Sequence, residues 1–473
     1  MTKRIPTRRG WTLGGLGATL ALGAMLSACN SPTDTLLQAT DPDIINPGDV
    51  QNADGALALY YGALKRLQDA TAAGGTNGNE STWLFGGLLA DEWSTSSTFV
   101  QNDEGDERSI QLNNSTVTFE FRTLSRLRTS SNQAIAAMKQ YRASESSRIA
   151  ELYMTRGFAE LQMASDFCNG IPLSEGTTET ITYGKPLTNA EVFTVAAASL
   201  DSAIALATAT DAATVTVRNA ARVLKARAQL GLGQIAEAGA TVSAAAIPST
   251  FTYDIQFSLT TRDNGLWSQA ASQYRYTVGD SLEGNAHNLL VKNAIPFFSA
   301  KDPRVPASYK VAANGKDTTK AQDGKTFVRV TTLWNQTTSV ALANYLDAQL
   351  ILAEARLKAG DAAGMLQILN ALRANPPKIG EVQPSAMPAL TDPGTADKRL
   401  DLLFREKAFW TFSRGQRLGD LRRLVRQYGR APENTFPVGE HYRGGNYGAD
   451  VNLPVPQDEQ NNPNFTQCLD RKA

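Results

Sequence analysis

The stretch LILAEARLKAGDAAGMLQILNALRA, residues 350–374, carries two apolar periodicities of helical type separated by a break. Apolar and small side chains recur three or four positions apart on both sides of the break, so each half has one face to bury. The spacing predicts one helix over 345–359 and a second over 362–374. Gly360 stands between them, where a chain reversing out of a helix takes a left-handed C′ conformation that glycine adopts without steric cost. A second stretch, LGLGQIAEA at 230–238, repeats the design with Gly233 at the reversal, between predicted helices at 219–231 and 235–246.

These two hairpins resemble tetratricopeptide units, in which antiparallel helices of about 34 residues stack small-residue faces. The period is not sustained. A stretch rich in Thr, Gly, Asn and aromatics, 250–342, separates them and reads as short strands and irregular loops. Any alanine-rich helical hairpin shares this look, so the fold depends on what flanks it. Upstream, Ala53, Leu57, Tyr60, Tyr61, Leu64 and Leu67 mark a helix over 50–70, and similar patterns fill 83–93, 121–141 and 146–167. The sharpest helix start is Thr188-Asn189-Ala190-Glu191, a capping box, with Leu187 placed to staple onto Val192 and an apolar face of Ala196, Leu200, Ala203, Ile204 and Ala207.

The N-terminus is of another kind. Lys3, Arg4, Arg8 and Arg9 precede an uncharged apolar run, 11–26, which reads as a secretory signal. The following MLSACN, residues 25–30, resembles the lipobox of bacterial lipoproteins, which predicts cleavage after residue 28 and acyl (palmitate) chains on Cys29. Two or more acyl chains hold a protein stably on a membrane where one holds only marginally. Thr7-Arg8-Arg9-Gly10-Trp11 also looks like a twin-arginine signal, leaving that route and the general secretory route both open. The domain plan is a signal peptide over 1–28, a lipidated linker over 29–48 broken by Pro42 and Pro47, and one large domain over 49–473. No second apolar run reaches the roughly 18 to 20 residues a membrane helix needs. With 46 basic and 46 acidic residues the chain is neutral, and nothing in its charge suits nucleic acid. Only Cys168 and Cys468 remain beyond Cys29, and in an exported protein we expect them to pair rather than to be two separate buried thiols.

The order of helices and motifs resembles the SusD/RagB family of outer-membrane nutrient-uptake lipoproteins. The matching stretches are NPGDVQNADGALALYYGALKRL at 46–67, AELYMTRGFAELQMASDFCNGIPLSEG at 150–176, PLTNAEVFTVAAASLDSAIALA at 186–207, the hairpin at 350–374, REKAFWTFSRGQRLGDLRR at 405–423 and LPVPQDEQNNPN at 453–464. Trp410 and Arg414 depart from the family, which usually has acidic residues there. The resemblance implies a mainly α fold: a SusD-like α/α superhelix of four tetratricopeptide-type helix pairs over about 49–249 and 342–430. A loop-rich irregular half with a few short strands at 250–341 and a tail at 431–473 complete it. It also implies a lipid-anchored protein on the exterior of the outer membrane that binds a glycan or peptide and serves as lid of a TonB-dependent, SusC-like transporter. Within 405–423, charges among apolar residues have to be paired where buried, and Arg417 with Asp420 is the expected pair; a carboxylate-binding pocket is the alternative.

Signals of catalysis are absent from the sequence. His287 and His441 are the only histidines, no H-E-x-x-H or G-x-S-x-G occurs, and no metal or cofactor is expected. DGKT at 323–326 lacks the first glycine of a phosphate loop and precedes a strand pattern. NDEGDE at 102–107 reads as a solvated acidic loop, His441 as a solvated loop residue, and Asp91 and Glu92 as diverging neighbours on a helix. What remains is binding, since rigid aromatic rings stack on sugar faces at low entropic cost. The candidate ligand residues are Trp93, Phe99, Trp267, Tyr274, Tyr276 and Trp334, with Asn102, Gln273 and Arg275 as polar partners. The competing readings are a periplasmic assembly scaffold offering its helix groove to a protein, and a lipoprotein glycoside hydrolase.

Overall fold

The computed structural model describes residues 51–72, 80–176, 181–243 and 247–473, within one compact unit, Val50–Ala473. The signal peptide, Cys29 and the linker lie outside the described residues. The helices are α1 (Ala53–Ala70), α2 (Thr82–Leu89), α3 (Val100–Asp106), α4 (Ser115–Tyr141), α5 (Ser146–Asp166), α6 (Asn189–Leu206), α7 (Ala212–Gly231), α8 (Ile235–Thr241), α9 (Tyr345–Lys358), α10 (Ala362–Ala374), α11 (Ala396–Trp410) and α12 (Arg417–Tyr428). They pack as α4 on α5, α5 on α6, α6 on α7, α7 on α8 and α9 on α10, with α1 laid over α4 and α5.

Local chemistry sets these boundaries. Thr188 accepts from the Glu191 N–H while Glu191 reaches back to Thr188, and Asn344 with Asp347 builds a second capping box at the start of α9. Gly233 and Gly360 adopt φ of +77° and +82°, the left-handed turns that reverse each hairpin. Two sequence expectations shift. Helix α7 begins seven residues earlier than expected because the Asp211 side chain caps it, and α8 ends at Thr241. Close helix approach is made by small residues: a Cβ on Gly157 of α5 would come within 2.6 Å of Leu200 on α6.

The C-terminal helix is the keystone. Helix α12 enters the groove formed by α5, α7 and α9, and its arginines satisfy carbonyls left open at the ends of three other helices. Arg417 donates to the Ala90 carbonyl after α2 at 3.1 Å. Arg422 donates to the carbonyls of Ala164, Ser165 and Phe167 at the end of α5, at 3.2, 2.6 and 2.9 Å. Arg423 donates to the Leu230 carbonyl at the end of α7. The expected Arg417–Asp420 pair therefore does not form. Asp420 pairs instead with Lys407 at 2.8 Å and Arg423 at 3.1 Å, because α12 turns Arg417 toward α2.

Between α8 and α9 the chain forms short two-stranded ladders, as the Thr- and aromatic-rich composition suggests. Strand β2 (Thr252–Ile255) pairs with β6 (Val340–Asn344), and β4 (Ala307–Tyr309) with β5 (Arg329–Thr331). Strand β3 (Tyr276–Val278) reaches back to β1 (Trp93–Thr95). Cys168 and Cys468 form a disulfide with Cα atoms 5.8 Å apart, tying the tail to the end of α5.

Candidate functional site

The β1–β3 ladder anchors the region where the sequence placed its ligand-binding candidates, and it buries several of them. Trp93 is fully buried, its indole N–H donating to Ser413 Oγ at 2.9 Å and its ring 5.1 Å from Phe412. Trp334 stacks on Phe412 with centroids 6.1 Å apart. Tyr276 is also fully buried, with its hydroxyl bound to Glu80, and Asn102 donates to the same carboxylate at 3.0 Å. These four residues hold β1 against the turn after α11, α3 and the loop before β6; Trp93, Tyr276 and Asn102 are enclosed and offer no face to a ligand, whereas Trp334 borders a separate cavity of about 500 Å³ beside Phe412 and Trp410. Trp267 is half-buried against the core, and Gln273 turns its amide to Ser268 Oγ at 3.1 Å.

Phe99, Tyr274 and Arg275 come together. Phe99 is 38% exposed and carries the Arg275 guanidinium over its ring at 4.7 Å. Tyr274, at φ +54°, turns the chain so that its carbonyl accepts from Ser96 Oγ and from the Gln322 N–H. The Gln322 side chain lies 3.4 Å from both Ser97 Oγ and the Thr98 N–H. Three loops thus converge beside Phe99.

Next to Phe99 the loops enclose an open cleft of about 690 Å³, lined by Ser97, Thr98, Asp103, Asn285, Asp323, Lys325, Thr326, Tyr442 and Arg443 among others. Arg443 organises it, donating to Asp103 at 2.7 Å, to Asp323 at 2.8 Å and to the Ser97 carbonyl at 3.0 Å. Burial would raise the Asp323 carboxyl, but the Thr326 hydroxyl, the N–H groups of Lys325 and Thr326 and the Arg443 charge outweigh it and hold it low. Burial prevails at Asp103, raising its carboxyl despite Arg443. Two carboxylates clamped on one guanidinium suit hydrogen bonding to hydroxyls better than proton transfer. The cleft is a polar, ordered surface, and the half-exposed ring of Phe99 follows its lining residue Thr98 in the chain, an arrangement suited to polyhydroxylated ligands.

The DGKT stretch, no phosphate loop, is one wall of this cleft: Asp323 Oδ1 accepts from the Lys325 and Thr326 N–H groups in a tight turn. Three other expectations are corrected here. The NDEGDE stretch is not a solvated loop but mostly belongs to α3, because Asn102 and Asp106 face inward. His441 is not solvated: its ring is fully buried, 3.3 Å from Asp106 and 3.6 Å from Glu107. Burial lowers its basicity, yet the Asp106 hydrogen bond and charge, with Glu107, outweigh that and raise the imidazole above its usual range. It underpins the 439–447 loop that presents Arg443. Asp91 and Glu92 lie beyond the end of α2, not on it, because Asp91 adopts φ +61° and turns the chain into β1. The signal that marks the cleft in sequence is the set of polar turns, DGKT and HYRGGN, rather than the tryptophans.

The scaffold and this loop-built cleft define a protein of SusD type in fold. No protein-family model and no curated protein matches the sequence. Among solved structures, a SusD-like carbohydrate-binding protein from Bacteroides fragilis superposes with a TM-score of 0.60 at 16% identity, covering 88% of this chain and 100% of that one. A SusD superfamily protein from Bacteroides vulgatus does so at 0.58 and 14%, over 88% and 98%. A SusD/RagB family protein from Bacteroides thetaiotaomicron follows at 0.59 and 12%, over 86% and 94%. Among the described residues no helix is long and apolar enough to cross a membrane.

Proposed function

We propose that the protein is a nutrient-capture lipoprotein of the outer membrane. Anchored through Cys29 and facing the cell exterior, it takes up a glycan in the cleft beside Phe99 and delivers it as the lid of a TonB-dependent, SusC-like transporter. The observation that carries this reading is the SusD-type fold, shared over 88% of the chain with a structure described as carbohydrate-binding. The cleft supports it: an exposed ring offers a sugar its apolar face, and the Asp103, Asp323 and Arg443 cluster offers fixed donors and acceptors to hydroxyls. No catalytic role is proposed.

Calorimetry against a panel of oligosaccharides tests this. A binding glycan should lose about tenfold in affinity with Phe99→Ala, a loss of about 1.4 kcal/mol, while the exposed position leaves folding intact. No glycan bound anywhere in the panel, or undiminished binding by the variant, contradicts the assignment.

A further inference from the structure

Beside α12 is a cavity of about 40 Å³ between α5, α6, α7, α9 and α12. A single water needs roughly 10 to 15 Å³ of such space, so this one has room for more than one water. Its walls are unusually rich in cations for so small a volume: Arg227 of α7, Lys407 of α11, and Arg423 and Arg426 of α12.

The charges around it do not balance. Glu354, Asp420 and Asp347 are the acids held in ion pairs there; Asp166 also acts on Arg227 by its charge, but burial raises that carboxyl to about 7 and it makes no hydrogen bond to Arg227. Lys407 bonds Glu354 at 2.9 Å and Asp420 at 2.8 Å. Arg423 bonds the same two carboxylates. Arg414 bonds Asp347 at 2.6 Å. These three cations neutralise the three acids. Arg227 and Arg426 are left over, and among the described residues neither makes an ion pair. The Nη1 group of Arg227 is buried without any hydrogen-bond partner. A buried guanidinium donor without an acceptor is costly, and a cavity placed at that donor marks the place of a missing acceptor.

We propose that this cavity is a binding site for a small divalent oxyanion of the phosphate or sulfate class, held by Arg227 from the inside and Arg426 from the mouth. The unpartnered Nη1 of Arg227 and the solvent-reaching guanidinium of Arg426 both favour an anion, and the planar forks of guanidinium groups match the oxygen edges of a tetrahedral oxyanion in a way a halide cannot exploit. Burial lowers the Arg227 guanidinium to about 10, which leaves it charged at neutral pH, and Arg426 reaches solvent and stays charged as well. The bound anion would join α7 to α12 and so lock the helix that closes the groove.

The test is thermal unfolding of the full-length protein against inorganic phosphate and against sulfate, with sodium chloride balancing the ionic strength. A ligand that binds only the folded state raises the midpoint with the logarithm of its concentration. We expect that rise for both oxyanions, and expect Arg227→Met to weaken the apparent affinity at least tenfold. Arg426→Gln, at the exposed mouth, gives the same comparison should the buried substitution prevent folding. Crystals grown with selenate should show its anomalous peak between Arg227 and Arg426. Equal phosphate dependence in the wild type and both variants overturns the proposal, as does a cavity that holds only water, or selenate found elsewhere as an adventitious ion only.

Discussion

Glu92 is a carboxyl group with one hydrogen bond, from the Ser413 N–H at 2.9 Å, and no contact with solvent. Burial pushes it up to about 8, and pushes Asp166 up to about 7, so both favour the neutral form in the fold. A carboxyl whose folded value is raised contributes stability that is complete below its unfolded value near 4 and is lost as pH climbs through the folded value. The raised imidazole of His441 acts in the same direction. The midpoint of thermal unfolding is therefore expected to fall between pH 5 and pH 8.5, and Glu92→Gln, which keeps an acceptor for Ser413 without the charge, should flatten the upper part of that decline. A midpoint that rises over this range, or a variant with the wild-type slope, contradicts the assignment. At this scale the sequence is a poor guide. Trp93 and Tyr276 look like ligand aromatics in a polar stretch, but their partners Ser413, Phe412 and Glu80 lie far away along the chain, and only the assembled fold shows that the rings are enclosed. Phe99, Tyr274 and Arg275 are the candidates that exposure and a turn keep near the surface.

Helix α12 shows how an element can be held by its polar groups rather than in spite of them. Arg422 is fully buried, and beyond its three carbonyls it donates to Asn189 Oδ1 at 2.9 Å, joining the end of α5 to the start of α6. Arg422→Met would strip acceptors of their donor inside the protein and is expected to cost roughly 3 kcal/mol or more, read as a lower midpoint in urea. The disulfide between Cys168 and Cys468 closes a span of 300 residues. Replacing both cysteines by alanine should cost about 2 to 5 kcal/mol in the same assay, with the chief loss at the tail. Intact stability in the double variant would mean that the tail is held by its Asn169 and Asn452 contacts alone. Elements were the most legible level. Capping boxes and reversal glycines are local signals, so α6, α9 and α10 were placed within a residue, whereas α3 was missed because a polar heptapeptide becomes helical only when Asn102 and Asp106 find buried partners.

For the whole molecule, the helix pairs supply a rigid frame, α12 closes its groove, and the loops between α8 and α9 meet those after α2 and α12 to build the cleft. Fold and function separate here, because a SusD-type scaffold constrains the loops' ends and not their ligand. The order of motifs made the scaffold legible, while the cleft is assembled from turns near residues 97, 285, 323 and 443 that no local pattern connects. The most direct test of the capture role is purification of the natively acylated protein from detergent-solubilised outer membranes, with Cys29→Ala as control, followed by identification of what accompanies it. A large β-barrel transporter in near-equal amount, lost in the control, is the predicted result. Soluble periplasmic partners without a barrel would contradict the account.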